Sequence, residues 1–155
     1  MECYLLIAND IDIGTAKLSA RDLCMSRISK SAWPLNRRTP NRHKLMAGDR
    51  VIFYLAGARA GVFAGTATLS SAAFIPSLST KREMMATDDE SLGSEFLITF
   101  EGVEMFSAPL QVRSIIGRLE FLAGAGRKWG VRLQGGVKKI SAKDYETIVQ
   151  GARRC

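Results

Sequence analysis

The residues best suited to chemistry in this chain are a bulky aromatic and the cations that follow it. Trp33-Pro34 is succeeded by Arg37, Arg38, Arg42, His43 and Lys44. Cations attract phosphate, and an exposed aromatic face stacks on a base. The pattern points to a nucleic-acid reader. Two readings of Trp33 stay open: a stacking wall, or a core ring that packs a helix on a sheet. Arg37, Arg38, Arg42 and Lys44 either contact phosphates, which positions a strand without reading its sequence, or form a solvated loop.

Other candidates are fewer. Trp129 follows Arg127-Lys128 in a glycine-rich stretch and is either a second stacking surface or packing for a closing strand. Tyr54 sits in an apolar run, where it can face a pocket or the core. Asn9 and Asp10 end the first apolar run. By residue type they suit an Asx turn.

Catalytic and metal signatures are absent from the pattern. His43 is the single histidine, with no nucleophile or carboxylate at a recognisable spacing. Cys3, Cys24 and Cys155 form no C-x-x-C pair, so neither a disulfide framework nor a zinc knuckle is expected. There is no P-loop and no Rossmann glycine pattern, and Gly124-Ala125-Gly126 reads as a helix stop. No catalytic residue, metal or cofactor is expected. An enzyme acting on RNA or a modified nucleotide is the alternative, with Asp10 or Asp12 as its general base.

Net charge is +7 over 155 residues, and it is uneven. Residues 33–50 hold five cations against Asp49, whereas residues 81–104 hold two against seven carboxylates. A basic side and an acidic side follow, and a basic side suits a polyanion. No apolar run approaches the roughly 20 residues that span a bilayer. The start, Met1-Glu2-Cys3, lacks a basic leader. A cytoplasmic location away from membranes is the expectation.

The elements that must position these residues read as follows. Residues 3–8 form a buried strand. Ser19 caps a helix that runs to about Lys30, with Asp22 completing the capping box and Leu18 and Leu23 as a hydrophobic staple. Residues 51–56 and 62–69 form a hairpin. Residues 71–94 are a long surface excursion, partly helical at 81–86. Residues 96–106 form a strand with a bulge at Gly102. Pro109 opens the strongest helical pattern, through Leu122. Residues 129–133 and 137–140 form a last hairpin about Gly135-Gly136, and Ser141 caps a final helix with Asp144 at its N3 position. The chain reads as one α+β domain, a mostly antiparallel barrel-like sheet surrounded by helices.

Two groups of residues resemble the EVE domain family. One is Gly48-Asp49-Arg50-Val51-Ile52-Phe53-Tyr54 with Ala60-Gly61-Val62-Phe63-Ala64-Gly65-Thr66-Ala67. The other is Leu119-Glu120-Phe121-Leu122, Lys128-Trp129-Gly130, Gly135-Gly136-Val137 and the segment from Ile140 to Ile148. The resemblance is nearly end to end and weakest at 71–94. It implies a fold of the PUA-like superfamily, related to YTH domains and associated in bacteria with base-modification and restriction systems. It also implies a pocket for a modified, methylated nucleobase in DNA or RNA. By that resemblance Trp33, with Pro34, is an aromatic wall of the pocket, Asn9 and Asp10 read the base edge, and Tyr54 and Trp129 are further ligand contacts.

Overall fold

The computed structural model describes residues 1–13, 16–57, 61–84 and 94–153. Six strands form one sheet in the order β4-β7-β6-β5-β1-β8. They are β1 (Cys3–Ala8), β4 (Ala32–Asn36), β5 (Arg50–Leu55), β6 (Val62–Leu69), β7 (Ser94–Gln111) and β8 (Val137–Ile140). A separate two-stranded sheet pairs β2 (Ile11–Ile13) with β3 (Ala16–Leu18). Among the described residues, three α-helices complete the frame: α1 (Ala20–Ser29), α2 (Leu78–Met84) and α3 (Ala142–Arg153). The fold is α+β, a curled half-barrel with few helices.

β1 and β5 are the parallel pair at the heart of the sheet, and the other pairings are antiparallel. Both are buried on both faces, so they read in the sequence as continuous apolar runs instead of alternating ones. Tyr4, Leu6, Ala8, Val51, Phe53 and Leu55 point to one core, which α1 covers. Cys3, Leu5, Ile7, Ile52 and Tyr54 point to the other, beneath α3 and the segment 112–133. Strand alternation thus separates Phe53 from Tyr54 by the thickness of the sheet.

The sheet curls until its two edges approach. Asn41, at φ +64°, donates its side-chain amide to the Val137 carbonyl at 3.2 Å. A Cβ on Gly135 would lie 3.1 Å from Pro40 Cγ. The loop after β4 therefore closes on the start of β8.

Several expected elements stand where the sequence put them. These include β1, the antiparallel pairing of β5 with β6, and α1, whose cap Ser19 accepts from the Asp22 N–H at 3.1 Å. Residues 58–60 of the hairpin turn lie outside the described residues, as do 85–93 of the long excursion. The helix expected around 81–86 appears as α2, beginning earlier, at Leu78. Gly102, at φ +62°, marks a bulge where β7 gains a residue on β6 between the Thr66 and Thr68 pairings.

Two expectations are corrected, and one strand lies outside those the pattern marks. The helix from Pro109 does not form: β7 continues to Gln111, and 3-10 turns follow at Val112–Ser114, Ile116–Arg118 and Glu120–Leu122. A period near three keeps Val112, Ile115, Leu119 and Leu122 buried. Ile115 at φ −130° interrupts any continuous helix. Residues 129–133 form no strand; they belong to a 3-10 run, Gly126–Leu133, and β8 pairs with β1 instead. Trp33-Pro34 lies within strand β4, an edge position that tolerates the missing proline N–H.

Candidate nucleic-acid interface

The ends of three distant segments enclose a cleft of about 1070 Å³. Asp10, Lys17, Ser19, Arg21, Cys24 and Met25 form one wall, from the turn after β1 into α1. Leu55, Gly57, Val62 and Ala64 supply an apolar floor from the β5–β6 hairpin. Met105, Phe106, Ser107, Pro109 and Gln111, at the end of β7, form the opposite wall.

Asp10 ties the first wall together. Its Oδ1 accepts from the Ala20 N–H at 2.7 Å, at the first turn of α1, where the helix dipole favours a carboxylate. Gly57 makes room for it, because a Cβ there would collide with the Asp10 carboxylate. Met25 and Met105, 44% and 41% exposed, leave soft, polarizable surface at the rim. Lys17 and Arg21 are exposed cations at the same mouth. Burial pushes the Cys24 thiol from its ordinary 9.0 up to about 12. At neutral pH it keeps its proton and lacks the thiolate a nucleophile needs. Among the described residues, no group of three or more His, Cys, Asp or Glu side chains could hold a metal ion.

The structure brings few of the expected site residues to this cleft. Asp10 lines it, fixed to α1; exposed Asn9 precedes it without lining the cleft. Trp33 is corrected from an open wall to a core residue. It is 1% exposed, stacked on Phe53 with ring centroids 5.7 Å apart and planes 26° apart, and the Arg27 guanidinium lies 4.7 Å over its ring. β4 starts one residue before it, so strand alternation turns the indole into the curl of the sheet. Pro34 is buried beside it. Tyr54, 2% exposed, lies on the opposite face against Phe63, and Trp33 and Tyr54 cannot share one pocket. Trp129 is half-buried on the Tyr54 face, with the Arg113 guanidinium 5.9 Å from its ring centroid.

The basic loop 37–44 is largely exposed, and none of its cations lines the cleft. Arg37 pairs with Glu95 at 3.0 Å, and Arg42 lies 3.9 Å over the Phe96 ring and meets His43 at 3.0 Å. Arg38 and Lys44 are exposed to solvent. Lys17, Arg21, Met25, Phe106, Ser107 and Gln111 were not among the residues the sequence singles out. The one signal available for them is the cap at Ser19, which marks a helix N-terminus but not what faces it.

No protein-family model matches the chain, and no curated protein matches its sequence. Solved structures do match its fold. The human THYN1 protein, in complex with 5-methylcytosine containing DNA, aligns at a TM-score of 0.63 and 12% identity over 98% of each chain. A mutant ZmASCH protein from Zymomonas mobilis aligns at 0.61 and 12% identity, over 96% of this chain and 95% of that one. A hypothetical protein from Leishmania major aligns at 0.60 and 16% identity, over 99% of this chain and 96% of that one. The half-barrel with few helices is thus a fold shared with these proteins at low sequence identity.

Proposed function

We propose that the protein is a nucleic-acid-binding module that accepts a methylated base, flipped out of its strand, in the cleft beside α1. The observation that carries this reading is the cleft itself, an apolar floor and a half-buried Phe106 beneath a mouth set with Lys17 and Arg21. A flat heterocycle gains about 1–3 kcal/mol by stacking on an aromatic side chain. Leu55, Ala64 and Met25 offer contact to a base methyl group, and Ser19, Ser107 and Gln111 offer polar partners to the ring edges. Extrusion from the strand costs a few kcal/mol, an amount these contacts can offset. The likeness to a fold seen bound to DNA containing 5-methylcytosine supports the reading. Asp10, engaged by α1, and protonated Cys24 suit binding better than turnover.

Fluorescence anisotropy on single-stranded oligonucleotides with one 5-methylcytosine or one cytosine tests it. The methylated strand is expected to bind more tightly. Met25→Glu, at an exposed position, is expected to shrink that preference without unfolding the protein. Equal affinity for a panel of modified and plain strands overturns the base-reading proposal.

A further inference from the structure

Five cations lie in the 22 residues from Val112 to Leu133, namely Arg113, Arg118, Arg127, Lys128 and Arg132, against Glu120 alone. All five are exposed. Glu120 is already occupied, by Lys143 at 3.4 Å and by the Ser141 hydroxyl at 3.1 Å. Arg113, Arg118, Arg127, Lys128 and Arg132 form no ion pair among the described residues. By contrast, Arg37 and Arg42 of the loop 37–44 are engaged by Glu95 and Phe96.

This basic run abuts the cleft. Val62 and Gln111 line the cleft and pair across β6 and β7. The next residues on each strand, Gly61 and Val112, are joined by a 2.8 Å hydrogen bond from the Val112 N–H to the Gly61 carbonyl. A Cβ on Gly61 would stand 3.8 Å from Trp129 Cη2. The indole beside Arg113 therefore lies against Gly61, the residue before the cleft-lining Val62. Arg132 stiffens the run, since its Nη1 donates to the Phe121 and Ala123 carbonyls at 3.1 and 2.7 Å.

We infer that the 3-10 run 112–133 is the track for the phosphate backbone of a single strand whose extruded base enters the cleft, with Trp129 stacking a flanking base. This rests on the proposed base reader and adds the surface that holds the rest of the strand. Cations that form no ion pair neutralise phosphates without first breaking one. A stacking ring beside them suits a strand with its bases unpaired.

The test measures oligonucleotide affinity against salt for the full chain and two variants. One is Arg118→Ala with Lys128→Ala, the other Arg38→Ala with Lys44→Ala. For the first, affinity should fall alike for methylated and plain strands, and the log–log salt slope should flatten by roughly 1 for each phosphate no longer neutralised. The second should keep the parent slope. An unchanged slope in Arg118→Ala/Lys128→Ala overturns the track while leaving base preference intact. If the unmodified protein binds no oligonucleotide at all, both the reader and the track fall. A matching thermal midpoint for parent and variants confirms that folding is not what changed.

Discussion

Trp33 stacks on Phe53, which meets Phe100 edge-on at 5.4 Å, so the indole anchors an aromatic cluster inside the curl of the sheet. Trp33→Ala is expected to cost about 3–5 kcal/mol, as removal of a large core ring does, a large part of a typical domain's roughly 5–15 kcal/mol. A urea titration measures it, and a stability unchanged within about 1 kcal/mol contradicts the core placement. Tyr54, on the other face, has a phenol raised by burial from its ordinary 10.0 to about 12. The unfolded chain releases that proton near pH 10 while the fold retains it, so Tyr54 lowers stability as pH rises through this window and has no effect below it. Cys24 acts in the same direction from about pH 9 upward. Tyr54→Phe should therefore flatten the decline of the urea midpoint between about pH 10 and 12. A decline as steep as the parent's contradicts a buried phenol.

Elements whose signal is local were legible in the sequence. The six apolar residues of β1, the Ser19 cap of α1 and the Ser141 cap of α3 each carry their own boundary, and the Asp144 N–H does donate to Ser141 Oγ at 3.0 Å. The segment 109–122 misleads because apolar residues three and four apart suit both an α-helix and successive 3-10 turns. The pairing of Leu110 and Gln111 with Phe63 and Val62, far away in sequence, keeps β7 extended to that point. The cleft was hidden for the same reason, since residues near 20, 57 and 106 share no pattern. Asp144 shows how such distant parts are tied. Besides its place in the cap, its carboxylate accepts from the Glu120 and Phe121 N–H groups at 2.8 and 3.1 Å and is 1% exposed. Asp144→Ala leaves two backbone donors unpaired, and a cost of about 3–6 kcal/mol is expected from two bonds of about 1.5–3 kcal/mol each to a charged group. Thermal or urea unfolding checks it, and a loss under about 0.5 kcal/mol would show that the 3-10 run does not depend on α3.

Across the whole molecule, stability and function divide the fold. β1 and β5 lie in the middle of the sheet with both faces covered, so their amides should open only with global unfolding. The β2–β3 pair stands apart from the main sheet, and the 3-10 run is held by short-range turns and a few side-chain ties. Among the described residues, no helix is long and apolar enough to cross a membrane, and the exposed cations of the run remain available to a polyanion. A ligand stabilises only the states that bind it, so segments it touches gain protection and the central strands, already at the global limit, gain only the shift in overall stability. Hydrogen exchange with and without a methylated oligonucleotide should therefore show added local protection at 19–25, 105–111 and 112–133. It should show none beyond the global shift at 32–36, where Trp33 is sealed. Protection centred on 37–44, with 112–133 unchanged, would move the strand to the loop after β4 and away from the cleft beside α1.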